Sequence, residues 1–327
     1  MNKNFELDKN LAISFLQKNN YHNFTIKKIA GDASFRSYYR INIKNNSLIL
    51  MYAPPKFEDI KPFINIDRFL IKNGFLAPEI IAIDKKNGFI LLKDFGDISF
   101  TKYLQKNPDR ELELYKMACE ELTKLAKISP NKIRLNQYNN AILFKEVMLF
   151  IEWYLPYKNI ATSLEQRQLY KKLWFKQFDM LQQNRQQIVL RDYHADNLML
   201  VNIAGNDNVG LLDFQDALIG LNTYDILSLL EDARRDVDPQ TVIKILDYYI
   251  KSNNIDKSKF IKDYNIISLQ RNIKIIGIFA RLAIRDNKPQ YLQLLPRVEK
   301  YILNRLGSCE HDFGKLKDLI LQIISKN

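Results

Sequence analysis

The sequence is poor in the residues that build metal–thiolate sites, disulfide frameworks and glycine-rich phosphate loops. Its 327 residues include only two cysteines and three histidines, which excludes a disulfide framework and a thiolate zinc site. The histidines form no ligand pair at helical spacing. The ten glycines contain no Gly-x-Gly pair, and this excludes both a dinucleotide-binding fingerprint and a kinase-type glycine-rich loop.

Long apolar runs are also missing. No run approaches the length of a membrane span, and the first ten residues (MNKNFELDKN) lack the apolar centre of a signal peptide. From these absences we expect a soluble, cytoplasmic protein with no membrane partner.

Charge is abundant and unbalanced, with 49 Lys and Arg against 37 Asp and Glu, a net charge of +12. Residues 251–305 alone carry twelve cationic and four acidic side chains, a local excess of +8. These cations alternate with apolar residues at helical spacing, which is typical of solvated helix faces rather than of a nucleic-acid groove. We therefore expect a small anionic partner and no nucleic acid, although the charge alone does not identify the ligand.

The apolar pattern predicts an α+β protein. Strand-like segments cover residues 35–43, 47–53, 79–83 and 88–92, with a helix over residues 60–72 and a polar break at 93–97. Longer helical patterns follow. We predict a nucleotide-covering N-lobe at residues 1–95, with a five-stranded antiparallel sheet and one helix. A larger, mainly helical C-lobe is predicted at residues 96–327, with a cleft between the lobes.

The chemistry is concentrated in two segments, residues 190–197 (LRDYHADN) and 210–217 (GLLDFQDA). Asp192 precedes Asn197 by five residues, and Asp213 follows Asn197 by sixteen, at the end of an apolar run. Phosphoryl transfer needs such an order, with one Asp to accept the proton of the attacking hydroxyl and an Asn and a second Asp to bind Mg²⁺. Magnesium prefers oxygen ligands and keeps several waters, so two protein ligands suffice.

These segments resemble the catalytic loop and metal motif of the aminoglycoside phosphotransferase-like kinases, which have the bilobal protein-kinase-like fold. A fuller set of segments resembles the kinases that phosphorylate the anomeric hydroxyl of N-acetylmuramate and N-acetylglucosamine. The similarity runs from about Gly31 to Arg305. The segments that carry it are residues 31–40 (GDASFRSYYR), 53–55 (APP), 88–96 (GFILLKDFG), 191–197 (RDYHADN), 213–218 (DFQDAL) and 277–282 (GIFARL).

The resemblance implies an ATP- and Mg²⁺-dependent sugar kinase of peptidoglycan recycling, with an amino sugar as its small-molecule partner. It assigns Asp192 as the catalytic base and Asn197 and Asp213 as the metal ligands. Asp225 resembles a structural Asp that steadies the C-terminal lobe. The residues that the resemblance assigns to the nucleotide are Ser34, Phe35 and Arg36 in a phosphate-covering turn and Lys93, Asp94 and Phe95 at a hinge that contacts adenine.

One departure from the kinase pattern concerns the lysine that ends the third strand and its glutamate partner on the next helix. Here the strand ends at Tyr52, and neither partner is evident. Arg36 or Arg40 could supply the missing cation. If neither does, a pseudokinase or a basic binding module becomes the alternative function.

The acceptor residues are less sharply indicated. The basic charge favours an anionic or neutral acceptor over a polycationic aminoglycoside, and N-acetylmuramate carries a lactyl carboxylate that an arginine could clamp. Salt bridges to Asp286 or Glu299 are the structural alternative for these arginines. A kinase for another small alcohol or for an antibiotic is the alternative enzyme. The candidate acceptor-binding residues are Glu146, Trp153, Asp216, Arg271, Arg281 and Arg285.

Overall fold

The computed structural model describes residues 7–31, 35–181, 186–308 and 313–324. They belong to two compact units. We call residues 2–121 with 195–217 the sheet unit, and residues 122–194 with 218–327 the helical unit. The mixture of one antiparallel sheet and many helices confirms the predicted α+β class, while the lobe boundary after residue 95 stays a prediction.

The sheet unit is built on five antiparallel strands in the order β1-β2-β3-β5-β4. Four of them correspond to the predicted strand segments. Ile43 pairs with Asn46 across a two-residue turn in which Lys44 has a φ of 47°. The strands are β1 Thr25–Gly31, β2 Ser37–Ile43, β3 Asn46–Tyr52, β4 Ile80–Asp84 and β5 Phe89–Lys93.

A second helix corrects the prediction of a single helix in this region. Helix α1, Lys9–Lys18, begins after Asp8, whose carboxylate accepts the backbone N–H groups of the first turn. Its apolar side packs on the sheet, where the Phe15 and Phe89 rings stack at 5.6 Å between centroids. The helix is ten residues long, with only three buried side chains, so its periodicity is a weak signal.

A second, two-stranded hairpin belongs to the sheet unit, and β-bridges connect it to two other segments of that unit. Leu76 forms a bridge with Gly210, and Ser99 forms a bridge with Met199. On α2, Phe63 stacks on Phe214 at 5.2 Å. These elements are α2 Lys61–Lys72, α3 Phe100–Leu104, a 3₁₀ turn Pro108–Arg110, most of α4 Glu111–Ala126, and the hairpin of β7 Leu198–Ile203 and β8 Asn206–Leu211.

Asp67 on α2 is an uncompensated polar group inside the sheet unit. The residue is fully buried, and neither carboxylate oxygen has a hydrogen-bond partner among the described residues. Burial raises the pKa of this carboxyl from 3.8 to about 7. The folded protein therefore holds a proton that the unfolded chain releases, so Asp67 lowers the free energy of unfolding as the pH rises from about 4 to about 7.

We expect Asp67→Leu to stabilise the protein more at pH 8 than at pH 5, by about 1–3 kcal/mol at pH 8, because it removes an unpartnered buried acceptor. Thermal or urea unfolding at the two pH values measures the difference. Asp109→Leu, at an exposed position of the same unit, is the control and should show no such pH dependence. Equal effects of Asp67→Leu at both pH values would contradict the raised pKa.

The helical unit packs around the long helix α10, Lys257–Ile284, most of whose side chains are buried. A π-helical segment, Phe150–Tyr154, separates two consecutive α-helices of this unit. The other helices are α5 Asn140–Leu149, α6 Leu155–Tyr157, α7 Leu164–Met180, α8 Tyr224–Leu230, α9 Pro239–Ser252, α11 Leu295–Ser308 and α12 Lys315–Ile324, with 3₁₀ turns Pro130–Lys132 and Pro289–Leu294.

Two three-residue strands complete the helical unit. Strand β6, Gln187–Val189, leads into the segment that contains Asp192, and it pairs antiparallel with β9, Leu218–Gly220. Across the ranges that the structure describes, no helix has both the length and the apolar character needed to cross a bilayer.

Candidate active site

The metal motif is built at one end of the β7–β8 hairpin. Asn197 immediately precedes β7 and Asp213 follows β8 by two residues. Because Leu198 pairs with Leu211, both side chains lie at the same end of the hairpin. Asn197 Nδ2 donates to Asp213 Oδ2 at 3.4 Å, and the N–H of Leu212 donates to the Asn197 carbonyl at 3.0 Å. The structure thus brings together the two residues predicted to hold a metal.

Asp213 has a strained backbone. Its φ of 58° lies in the left-handed region, which costs a non-glycine residue about 1–3 kcal/mol and is found most often at functional sites. The surrounding contacts maintain this conformation. Gln215 Nε2 donates to Asp213 Oδ1 at 2.8 Å, and the intervening Phe214 is buried against Phe63.

The oxygen atoms at this end of the hairpin fit Mg²⁺. Besides the Asp213 carboxylate and the Asn197 amide, Gln215 Oε1 is buried and has no hydrogen-bond partner among the described residues. Gln215 was not singled out from the sequence, although it lies inside the motif. The described ranges contain no group of three His, Cys, Asp or Glu side chains that could hold a metal. Two protein ligands, with water and phosphate oxygens, match the usual coordination of magnesium.

Arg36 supplies a cation beside the metal motif. Its side chain is only 6% exposed, and Nη2 lies 3.8 Å from Asp213 Oδ1 while Nε lies 3.7 Å from Glu58 Oε1. The arginine precedes β2, and Glu58 lies in the segment between β3 and α2. The cation of this pair thus lies beside one of the two predicted metal ligands. Glu58 carries no sequence signal because it lies outside any periodic segment.

Arg40 has a different role from the one considered for it. Its guanidinium binds Asp94, with Nε to Oδ2 at 2.6 Å, and Asp97, with Nη1 to Oδ2 at 2.8 Å. Asp94 also accepts hydrogen bonds from Ser47 Oγ and from the N–H of Gly96. Burial alone would raise the pKa of Asp94, but the bonds from Arg40 and Ser47 hold it below its ordinary value. Arg40 therefore fixes the predicted hinge and is not available as the phosphate cation.

The other hinge residues are also engaged. The N–H of Lys93 donates to the Glu79 carbonyl at 2.9 Å, while its side chain is exposed. The Phe95 ring packs against Gly210, where a Cβ would lie 2.9 Å from the ring. Adenine contacts through this backbone stay a prediction.

The predicted phosphate-covering turn is described only in part. Ser34 lies outside the described residues. Phe35 is 48% exposed and stacks on Phe57 at 5.4 Å between ring centroids, so its ring remains accessible on the surface of the sheet unit.

In the helical unit, Asp192 lies on a loop whose two preceding residues are held through their backbone by side chains of α8. Asp225 accepts the N–H of Leu190 at 2.6 Å and the N–H of Arg191 at 2.9 Å, and Ser228 Oγ donates to the Arg191 carbonyl at 3.2 Å. Arg191 has a φ of 73°, so a strained residue directly precedes Asp192. Burial raises the pKa of Asp225 to about 7, against the lowering effect of the two N–H groups.

A buried cluster around Glu146 holds the side chain of Arg191. Arg191 Nη2 donates to Glu146 Oε1 at 2.6 Å, Lys274 Nζ lies 3.5 Å from the same oxygen, and Gln270 Nε2 donates to Oε2 at 2.9 Å. Burial alone would raise the pKa of Glu146, but Lys274 and then Arg191 lower it below its ordinary value. Glu146, predicted to contact the acceptor, is occupied with these partners and with the Tyr138 hydroxyl.

His194 follows Asp192 by two residues and is 4% exposed. Arg234 Nη1 donates to His194 Nε2 at 3.2 Å, because a guanidinium has no acceptor. Burial, followed by the charges of Arg234 and Arg271, lowers the pKa of His194 far below its ordinary value. The imidazole is therefore neutral, and its hydrogen bond contributes to the order of the loop.

The remaining acceptor candidates separate into engaged and available side chains. Arg271 is buried and donates to the Glu231 carbonyl at 3.1 Å. Arg285 is exposed and paired with Asp286 at 2.8 Å, as the structural alternative had it. Trp153 and Arg281 are half-buried in the helical unit, and Asp216 is exposed in the sheet unit.

A loop carboxylate followed by an Asn–Asp pair of oxygen ligands and a neighbouring arginine is the side-chain set of a phosphoryl-transfer enzyme. Comparison with known proteins agrees. The sequence profile of the phosphotransferase enzyme family matches residues 25–261, and the chain belongs to this family. It is a phosphotransferase, a kinase with a hydroxyl acceptor.

The chain is also similar in sequence to relatives whose names state a function. The N-acetylmuramate/N-acetylglucosamine kinase of Pseudomonas aeruginosa is 35% identical over 84% of this chain and 81% of its own length. The protein of the same name from Pseudomonas putida is 33% identical over 90% and 87%. Among solved structures, an ADP-bound aminoglycoside phosphotransferase is 14% identical, covers 91% of this chain and 99% of its own, and has a TM-score of 0.61. Its similarity confirms the kinase-like fold.

Proposed function

We propose that the protein transfers the γ-phosphoryl group of ATP to the anomeric hydroxyl of N-acetylmuramate and N-acetylglucosamine, with Asp192 as the base. One observation carries the proposal. Asp192 follows the strained residue Arg191 on a loop that Asp225 and Ser228 hold. It precedes Asn197 by five residues, and Asn197 contacts Asp213. The relatives named as kinases of these two sugars support the choice of acceptor. The ADP-bound structural neighbour supports ATP as the phosphoryl donor.

Four side chains of this protein would take part in the reaction. The Asp192 carboxylate orients the acceptor hydroxyl and takes its proton as the new oxygen–phosphorus bond forms and the bond to ADP breaks. An anomeric hydroxyl is more acidic than an ordinary alcohol, so late proton transfer suffices. Asn197 and Asp213 would hold Mg²⁺, which neutralises phosphate charge when bound. Arg36 contributes a further positive charge beside Asp213.

The Arg36–Glu58 pair bears on the alternative of a pseudokinase. A pseudokinase is an alternative because the strand lysine is absent. The buried Arg36, whose Nη2 lies 3.8 Å from the Asp213 carboxylate, would supply the cation that the lysine would provide. An arginine remains charged at all accessible pH values and can bind phosphate oxygens in a bidentate manner.

The proposal is tested by measuring ADP release with a panel of acceptors: N-acetylmuramate, N-acetylglucosamine, a simple amino alcohol and gentamicin. We expect turnover with both sugars and little with the cationic acceptors. Turnover confined to gentamicin or to the amino alcohol would assign the alternative kinase. ADP release with none of them, from a folded protein, would favour the pseudokinase.

A further inference from the structure

One side of α10 forms a continuous seam with the helix that contains α5 and the π-helical segment. Gln270, Lys274, Gly277 and Arg281 recur at intervals of four, three and four residues, which places them on one face of a helix. The first two contact Glu146. At the third, the backbones approach so closely that a Cβ would lie 2.4 Å from the carbonyl carbon of residue 149. Arg281 is the next position along this face.

The segment that follows α5 along the seam has an irregular backbone. Residues 150–154 form a π-helical turn, a feature that is rare and frequently found at functional sites. Trp153 is half-buried on this turn, and Glu152 beside it is exposed. Glu152 and Asp286 both exert an electrostatic effect on Arg281, but neither forms an ion pair with it within the described ranges.

Arg281 differs from the other two candidate arginines because its guanidinium has no side-chain or backbone acceptor among the residues that the structure describes. Its Nε atom is buried and makes no hydrogen bond with any of these residues, and none of their carboxylates forms a salt bridge with its guanidinium. Arg271 and Arg285 are both bound within the protein. Burial, and then the charge of Arg285, lower the pKa of Arg281. A half-buried cation bears part of the cost of desolvation, and an anion from a ligand would compensate for it.

The position of Arg281 suits recognition of one end of an amino sugar. Lys274 and Arg191 both contact Glu146 Oε1, and Asp192 follows Arg191 directly. From Lys274 to Arg281 the helix rises about 10 Å over two turns. Lys274 and Arg281 are therefore about 10 Å apart along the helix. A sugar ring with a substituent can span this distance when the extended side chain of Arg281 reaches toward it.

We propose that Arg281 binds the carboxylate of N-acetylmuramate and determines how well the enzyme uses the acidic sugar relative to N-acetylglucosamine. The inference rests on the proposed function, because it concerns the acceptor site of that reaction. Since N-acetylglucosamine has no carboxylate, it makes no use of the guanidinium. The two acceptors then share Asp192 and the metal site and differ only at Arg281.

Steady-state kinetics of Arg281→Gln with both sugars tests this inference. A lost charge-assisted hydrogen bond raises the KM for N-acetylmuramate about 10- to 100-fold, with kcat little changed, because the bond is present in the ground state as well. The KM for N-acetylglucosamine stays within about two-fold of the wild type. Arg167→Gln, at an exposed position of the same unit whose side chain donates to Thr162, is the control and leaves both values unchanged.

Arg281→Lys keeps the charge but loses the planar guanidinium, so its KM for N-acetylmuramate falls between those of the wild type and Arg281→Gln. This variant also serves if the glutamine variant fails to fold. An equal loss with both sugars, or no loss with either, would overturn the inference while leaving the proposed function intact. A wild-type enzyme that phosphorylates neither sugar would overturn both.

Discussion

Asp192→Asn should lower kcat by about 10²- to 10⁴-fold, the range that a positioned general base contributes. The amide has nearly the shape of the carboxylate but cannot take the proton of the acceptor hydroxyl. The loop should keep its conformation, because Asp225 and Ser228 hold it through backbone atoms of residues 190 and 191. Nucleotide affinity should therefore change little.

The measurement pairs steady-state turnover with calorimetric titration of nucleotide. Asp247→Asn is a suitable control, because it changes an exposed carboxylate of the same unit whose ion pair, among the residues that the structure describes, is with Lys257. Its turnover should equal that of the wild type. Full activity of Asp192→Asn would remove Asp192 from the role of base, and a large loss of nucleotide affinity would show that its charge serves binding instead.

Asp213→Ala should abolish the Mg²⁺ dependence of nucleotide binding. Replacing even the partners of metal ligands typically costs about 10- to 100-fold in metal affinity, so loss of the only acidic side chain of the proposed ligand set should weaken Mg²⁺-ATP binding by more than about 100-fold. Binding of nucleotide without metal should be retained, since Arg36 keeps Glu58 as its partner in the variant.

Calorimetric titration with and without Mg²⁺ separates these contributions. Asp207→Ala is the matched control: it lies in β8 of the same hairpin, and its contacts are with Asn202 and Arg110. Its Mg²⁺-ATP binding should be that of the wild type. Unchanged titration of Asp213→Ala would place the metal elsewhere.

Much of the sheet and the metal motif could be predicted because local patterns carry them. Alternation of apolar residues marks β2, and a short continuous apolar run marks β3. Asn197 and Asp213 each adjoin an apolar run, so a short hairpin brings them together. Strands β6 and β9 pair across about thirty residues and have three residues each. The apolar run at residues 188–190 indicates a short strand there, but so short a run does not identify its distant partner β9.

The side-chain partners of the charged residues could not be predicted in the same way. Arg36 and Arg40 lie four residues apart and are equivalent by composition, yet one faces Asp213 and the other binds Asp94 and Asp97. Arg271 and Arg281 are ten residues apart on one helix, a separation that rotates a helix away from a whole number of turns. The structure places Arg271 toward Glu231, so only the tertiary contacts distinguish the available arginine.

The position of the transferred phosphate is the central claim, and nuclear magnetic resonance of the product tests it directly. Incubation with ATP, Mg²⁺ and N-acetylmuramate or N-acetylglucosamine should yield a sugar phosphate whose phosphorus couples to the proton on C1. Coupling of the phosphorus to any other ring or side-chain proton, or the absence of a phosphorylated sugar while another acceptor is consumed, would contradict the account.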